Sequence, residues 1–221
     1  SLVKGIFTGT FNGNGYTLSN LSLDTTASNI GLFSQLSGAS IQNVSLTAFN
    51  MTGGEVFGAL SGKVVGNAHT LIDNVKVINS TISASSGVGG FVGNNSSSLT
   101  INNSYFSGFI KGTFILGGFV GVNGGTITMT SVTNDANIES NFGIAGGILG
   151  RNDGSTFIKN ATNDGQITAI NGSGFSGVGG IIGQVYSNGE VTVIESSNHG
   201  DLSVSGREIY VGGIVGNVFL S

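Results

Sequence analysis

The 221-residue chain is long enough for one large domain or two small ones, and a hydrophobic content of 38% is enough for a core. Only 8% of its residues are charged and the net charge is −4 with no basic cluster, so nothing supplies the footprint of nucleic-acid binding, and no apolar run approaches the length of a membrane span. The lack of cysteine excludes disulfides and thiolate metal sites, while 40 glycines without proline, set among Val, Ile and Phe, indicate short strands and tight turns rather than disorder.

In chain order, the opening stretch FTGTFNGNGYTLSNLSL (7–23) is followed by IGLFSQ (30–35) and FGALSG (57–62). Five closer copies of the same six-residue pattern come next: VGGFVG (88–93), LGGFVG (116–121), AGGILG (145–150), VGGIIG (178–183) and VGGIVG (211–216). From Gln35 their last residues advance by 27, 31, 28, 29, 33 and 33, a period near thirty. The remainder of each period keeps step. Asn103, Ser131 and Asn160 stand ten residues after a motif's last glycine, and Asn74 and Glu195 stand twelve after. Ile110, Ile138, Ile167 and Leu202 follow four of these landmarks by seven. Each period therefore holds three apolar-alternating runs, around INNSYF, around GFIKG and at the glycine motif, and no segment carries a helical period.

Three short strands per period, repeated seven times without helices, predict an all-β parallel β-helix (β-solenoid) of about seven coils. At about 4.8 Å per coil the rod is on the order of 35 Å long. A propeller blade needs four strands and a longer period, and a sandwich does not require register between repeats. The whole of residues 1–221 is expected to be one solenoid segment cut from a longer chain.

The GGFVG, GGILG and GGIIG cores, with their intervening N-S and N-x-G elements, resemble the GLUG-motif repeats of bacterial and protist surface proteins. The 7–23 stretch followed by IGLFSQLSGASIQNVSL (30–46) looks like the segment that leads into such repeats. The resemblance runs from about Phe7 to Gly216 and implies a right-handed β-helix in secreted adhesins, cell-surface proteins or non-catalytic regions of surface proteases. It carries no catalytic residues.

The glycines do not read as phosphate loops. Gly172, Gly174 and Gly177 match G-x-G-x-x-G but run into another strand, where a dinucleotide fingerprint opens a helix. GALSGK (58–63) is one residue short of a phosphate-binding P-loop, with Val64 where Ser or Thr belongs. Asp135 and Asp164 fall in register, with His199 at the same place, and Asn134, Asn163 and Asn198 precede them. The favoured reading is a repeated turn with a stacked Asn ladder, ahead of weak calcium binding or acid–base chemistry. No catalytic residue, cofactor or metal is expected.

Sequons begin at Asn20, Asn43, Asn50, Asn79, Asn94, Asn95, Asn102, Asn160 and Asn171, as possible glycosylation sites of a secreted protein. Strand alternation places Phe91, Phe119, Ile148, Ile181 and Ile214 on the core face, continued upstream by Phe33 and Leu60, with the glycines making room for them. A straight strand then leaves Val92, Val120, Leu149, Ile182 and Val215 outside as an apolar stripe, a possible lateral interface, with Ser34 and Ser61 extending that column. A bend at the glycines would instead turn both columns inward.

Together these features predict a non-enzymatic stalk, adhesive rod or fibre subunit of an extracellular or cell-surface protein, self-associating end to end or joined to flanking domains. Neither Leu2–Val3 nor the closing VFLS offers a polar cap to a coil end. The alternative is a carbohydrate-binding rod that meets glycans or a host surface through the Asn/Asp turns and Tyr105, Tyr186 or Tyr210.

Overall fold

A computed structural model describes residues 1–172 and 176–219. Residues 173–175, which fall inside the GSGFSG match, and the last two residues of VFLS lie outside the described set. The described chain is all-β, without a helix, and its strands pair in parallel through about seven stacked coils: a β-solenoid.

From the second coil on, each coil crosses three sheets. The eight-stranded sheet runs from Val3–Phe7 to Val215–Phe219, and the six-stranded sheet from Phe57–Gly58 to Ile209–Gly212. The thirteen-stranded sheet contains the longest strands, Thr70–Ala84, Ser98–Gly112 and Thr126–Ser140. Pairing joins each motif to its counterpart one coil on: Val92 to Val120, Val120 to Leu149, Leu149 to Ile182 and Ile182 to Val215. Ile110, Ile138, Ile167 and Leu202 form one column, as their spacing predicts.

The runs around INNSYF and GFIKG belong to a single fifteen-residue strand, Ser98–Gly112, that turns a corner without leaving the sheet. The corner is Asn103, whose φ is 49°. Asn43, Asn74, Ser131, Asn160 and Glu195 repeat it at φ of 53°, 51°, 55°, 52° and 51°, so the landmark column is a column of left-handed residues. Asparagine tolerates this region better than most side chains, which accounts for its frequency there. The corner shifts the in–out alternation by one residue: Leu99 and Ile101 point inward before it, Ser104 and Phe106 after it. Both legs thereby bury their apolar set.

The glycine motif makes a second corner. Val88–Gly89 closes one strand, Val92–Asn95 opens the next in a different sheet, and Gly90-Phe91 turns between them. Phe91 and Val92 consequently both face the core and are fully buried, as are Phe119 with Val120, Ile148 with Leu149, and Ile181 with Ile182. The possible outer stripe of Val92, Val120, Leu149, Ile182 and Val215 is not formed: of the two readings the sequence left open, the bend that turns both columns inward is the one observed, and Val215 is half-buried. The straight-strand premise failed because the glycines let the backbone fold tightly at the middle of the motif.

The glycines also make room for something other than the Phe/Ile column. A Cβ on Gly117 would collide with the carbonyl oxygen of Val120, across the corner itself. On Gly118 it would strike the Gly147 carbonyl and the Asn134 side chain. Phe91 and Phe119 stack one coil apart, ring centroids 4.6 Å and planes 19° apart, within a single core that extends from Ile30 to Val185.

The first copy is one residue short. Ile30 pairs with Phe57, but Phe33 pairs with Ser61, so Phe33 takes the place expected of Ser34. Both Leu32 and Phe33 are buried there.

Candidate functional surface

Two asparagine ladders run up the inside of the coils. Asn134 Nδ2 donates to Asn163 Oδ1 at 2.7 Å, and Asn163 Nδ2 donates to Asn198 Oδ1 at 2.7 Å. Each of the three also donates to the carbonyl two residues on, of Ala136, Gly165 and Gly200, which is the turn bonding expected of Asn. The second ladder, Asn95 to Asn123 at 2.8 Å and Asn123 to Asn152 at 2.9 Å, was not anticipated. Its signal is visible in the sequence, because all three residues stand two positions after a motif's last glycine. Asn95, Asn123, Asn134, Asn152 and Asn163 are fully buried, so these polar groups serve the stack and not a ligand.

Outside the first ladder lies a polar column. Tyr105 donates its hydroxyl to Asp135 Oδ2 at 2.9 Å, and His199 Nδ1 lies 2.8 Å from Asp164 Oδ1. The four residues sit on one outer face, beside the register positions Tyr105–Thr133–Thr162–Ser197 and Asn134–Asn163–Asn198. Desolvation of Tyr105, then its hydrogen bond to Asp135, holds the phenol above the ordinary tyrosine value, so it remains a neutral donor across the physiological range. Among the described residues, no group of three or more His, Asp or Glu side chains is arranged to hold a metal ion.

The three tyrosines considered for carbohydrate contact are not brought together. Tyr105 lies on the thirteen-stranded sheet, Tyr186 on the eight-stranded sheet and Tyr210 on the six-stranded sheet. Tyr186 stacks on Phe219 at 5.0 Å with planes 8° apart, and the Arg151 guanidinium lies 5.6 Å from its ring centroid. A cavity of about 470 Å³ opens at the first coil between Ser1, Lys4, Leu23, Thr25 and Ile30.

The sequons divide sharply. Asn20, Asn50, Asn79 and Asn160 are exposed; Asn43, Asn94 and Asn102 are half-buried. Asn95 is fully buried in the second ladder, which removes it from the accessible set. Asn171 falls in the strand Ile167–Gly172, and its side chain lies outside what is described.

Fold and surface together define a stacked-coil protein with polar internal ladders and a sparsely charged, hydroxyl- and amide-rich exterior. Over 89 residues, 39% of this chain, the sequence is 37% identical to halomucin of Haloquadratum walsbyi, and the chain spans about 1% of that protein. No protein-family model matches the chain, and no solved structure matches it significantly.

Proposed function

We propose that this chain is a non-catalytic rod segment of an extracellular or cell-surface protein, of the GLUG-repeat kind, serving as a stalk or fibre element. The observation that carries this reading is the unbroken register from Val92 through Val120, Leu149 and Ile182 to Val215, which places the repeated motif in the frame of the rod. Most motif glycines, the buried asparagines and the buried aromatic and aliphatic side chains are used in stacking, and the charges are spread along the coils. The local similarity to halomucin is in keeping with a surface setting. Further coils in the same polypeptide, or a second copy stacked end to end, would cover the terminal edges. Electron microscopy over a concentration series tests assembly: filaments that lengthen with concentration support the fibre form. Monodisperse short rods at high concentration leave the stalk, and compact non-elongated particles contradict both.

A second reading is favoured by the Tyr105–Asp135 and Asp164–His199 pairs, which present hydroxyl, carboxylate and imidazole on one outer face. In that reading the column binds carbohydrate hydroxyls. Binding on a glycan array that disappears in Asp164→Ala supports it, and an array without signal removes it.

A further inference from the structure

The nine sequons are scattered in the sequence, but three of them converge in the fold. Asn20 and Asn79 occupy one corner of the solenoid, at φ of 61° and 49°, with Ala48 between them in the intervening coil at 55°. Immediately past that corner, Ser22 pairs with Asn50 and Asn50 pairs with Thr81. Ser22 is the hydroxyl residue of the Asn20 sequon, and Thr81 is that of the Asn79 sequon. The three sequons thus interlock in consecutive coils.

At this corner both halves of each sequon reach solvent: Asn20 with Ser22, Asn50 with Thr52, and Asn79 with Thr81 are all exposed. Among the described residues no hydrogen bond holds the side-chain amides of Asn50 and Asn79, and that of Asn20 meets only Ser19 Oγ at 3.5 Å. Four of the other six sequons are engaged, while Asn160 is exposed on a later coil. Asn95 Nδ2 donates to Ser97 O, Asn123 Oδ1 and Thr126 O, and Ser97 is itself buried. The Ser104 hydroxyl that would serve Asn102 is buried and donates to the Asn102 carbonyl at 2.6 Å. Ser96, which would serve Asn94, donates to Val64 O at 3.1 Å. Asn43 donates to Asn12 and accepts from Asn74.

We infer that the Asn20–Asn50–Asn79 corner is an N-glycan acceptor site, and that the sequons of Asn95 and Asn102, whose hydroxyl residues are buried, are not acceptors in the folded protein. N-glycan transfer needs the amide nitrogen and the hydroxyl two residues on to be available together. The donor is a lipid-linked oligosaccharide whose anomeric carbon carries a phosphate or pyrophosphate. The Asn Nδ2 forms the new bond to that carbon, the carbon–oxygen bond to the phosphate breaks with its electron pair leaving on oxygen, and one amide proton passes to the transferase's base. A glycan-bearing corner would coat one edge of the first three coils and leave the Tyr105–His199 face of later coils open.

The test uses the folded, unglycosylated chain with a single-subunit oligosaccharyltransferase and its lipid-linked donor, followed by glycopeptide mapping. Enzymatic release in oxygen-18 water marks each formerly occupied Asn. The inference expects label at 20, 50 and 79 and none at 95 or 102. Thr52→Ala removes label from Asn50 alone while circular dichroism remains unchanged. Absence of label from the corner, or label at Asn95 equal to that at Asn79, overturns it.

Discussion

A middle coil and the last described coil carry the same motif in the same register but in different surroundings. Val178, Ile181 and Ile182 in VGGIIG are fully buried, whereas Val211 and Ile214 in VGGIVG are 46% and 38% exposed. The difference does not lie in local sequence, since the two motifs differ only at Ile182 and Val215. It lies in what stacks on the far side. A motif residue is covered by the coil after it as well as by the coil before it, so burial is a property of the stack.

Substitutions that behave differently in the two regions would sharpen that contrast. The largest effect is expected at the second motif glycine. Gly118→Val forces side-chain atoms into the Gly147 carbonyl and Asn134, and should cost about 4 kcal/mol or prevent folding. Gly213→Val, where nothing lies within 4 Å, should leave the urea midpoint nearly unchanged. Next, Ile148→Ala should cost about 3 kcal/mol in the same urea titration and Ile214→Ala less than about 1 kcal/mol, because only the first opens a closed cavity. Asn123→Ala, which strands Asn95 and Asn152 within the ladder, should cost about 2 kcal/mol, and Asn198→Ala at the ladder's half-buried end clearly less. Equal costs within any of these pairs would break the comparison.

Smaller still is the surface pair Lys111–Glu139, at 2.6 Å but with side chains 47% and 28% exposed; Lys111→Ala should change stability by less than about 1 kcal/mol. A pH effect is also expected at Tyr105. Its folded-state pKa is raised, so the contribution of the neutral phenol is complete below the free tyrosine value and is lost as pH climbs through the raised one. Ultraviolet titration should find one tyrosine ionising above the free value, and that component should vanish in Tyr105→Phe.

The architecture was legible because register is written in one dimension. A spacing of 28 to 33 between glycine motifs becomes strand pairing once coils stack, and Ile110, Ile138, Ile167 and Leu202 align in the fold as in the sequence. Corners were not legible in the same way. The direction of Val92 depends on a turn at Gly90-Phe91 that alternation alone does not encode, so the period-two rule left open whether its column lay inside or outside. The landmark Asn103 was found by its spacing, but its left-handed backbone is what gives the spacing meaning. The first ladder was recognised because N-D repeats stand out. The second was hidden, because Asn95 also begins a sequon and Asn123 and Asn152 have different neighbours. The corner of Asn20, Asn50 and Asn79 joins residues up to two coils apart, so only the stacked structure gathers it.

The claim that the glycine motif is a rung, buried by its neighbours, is tested most directly by residue-resolved amide hydrogen exchange in dilute solution. Strong protection at 116–121 and 145–150, with exchange orders of magnitude faster at 211–216, is the result this account predicts. Uniform protection of all three copies in a monodisperse sample would contradict it.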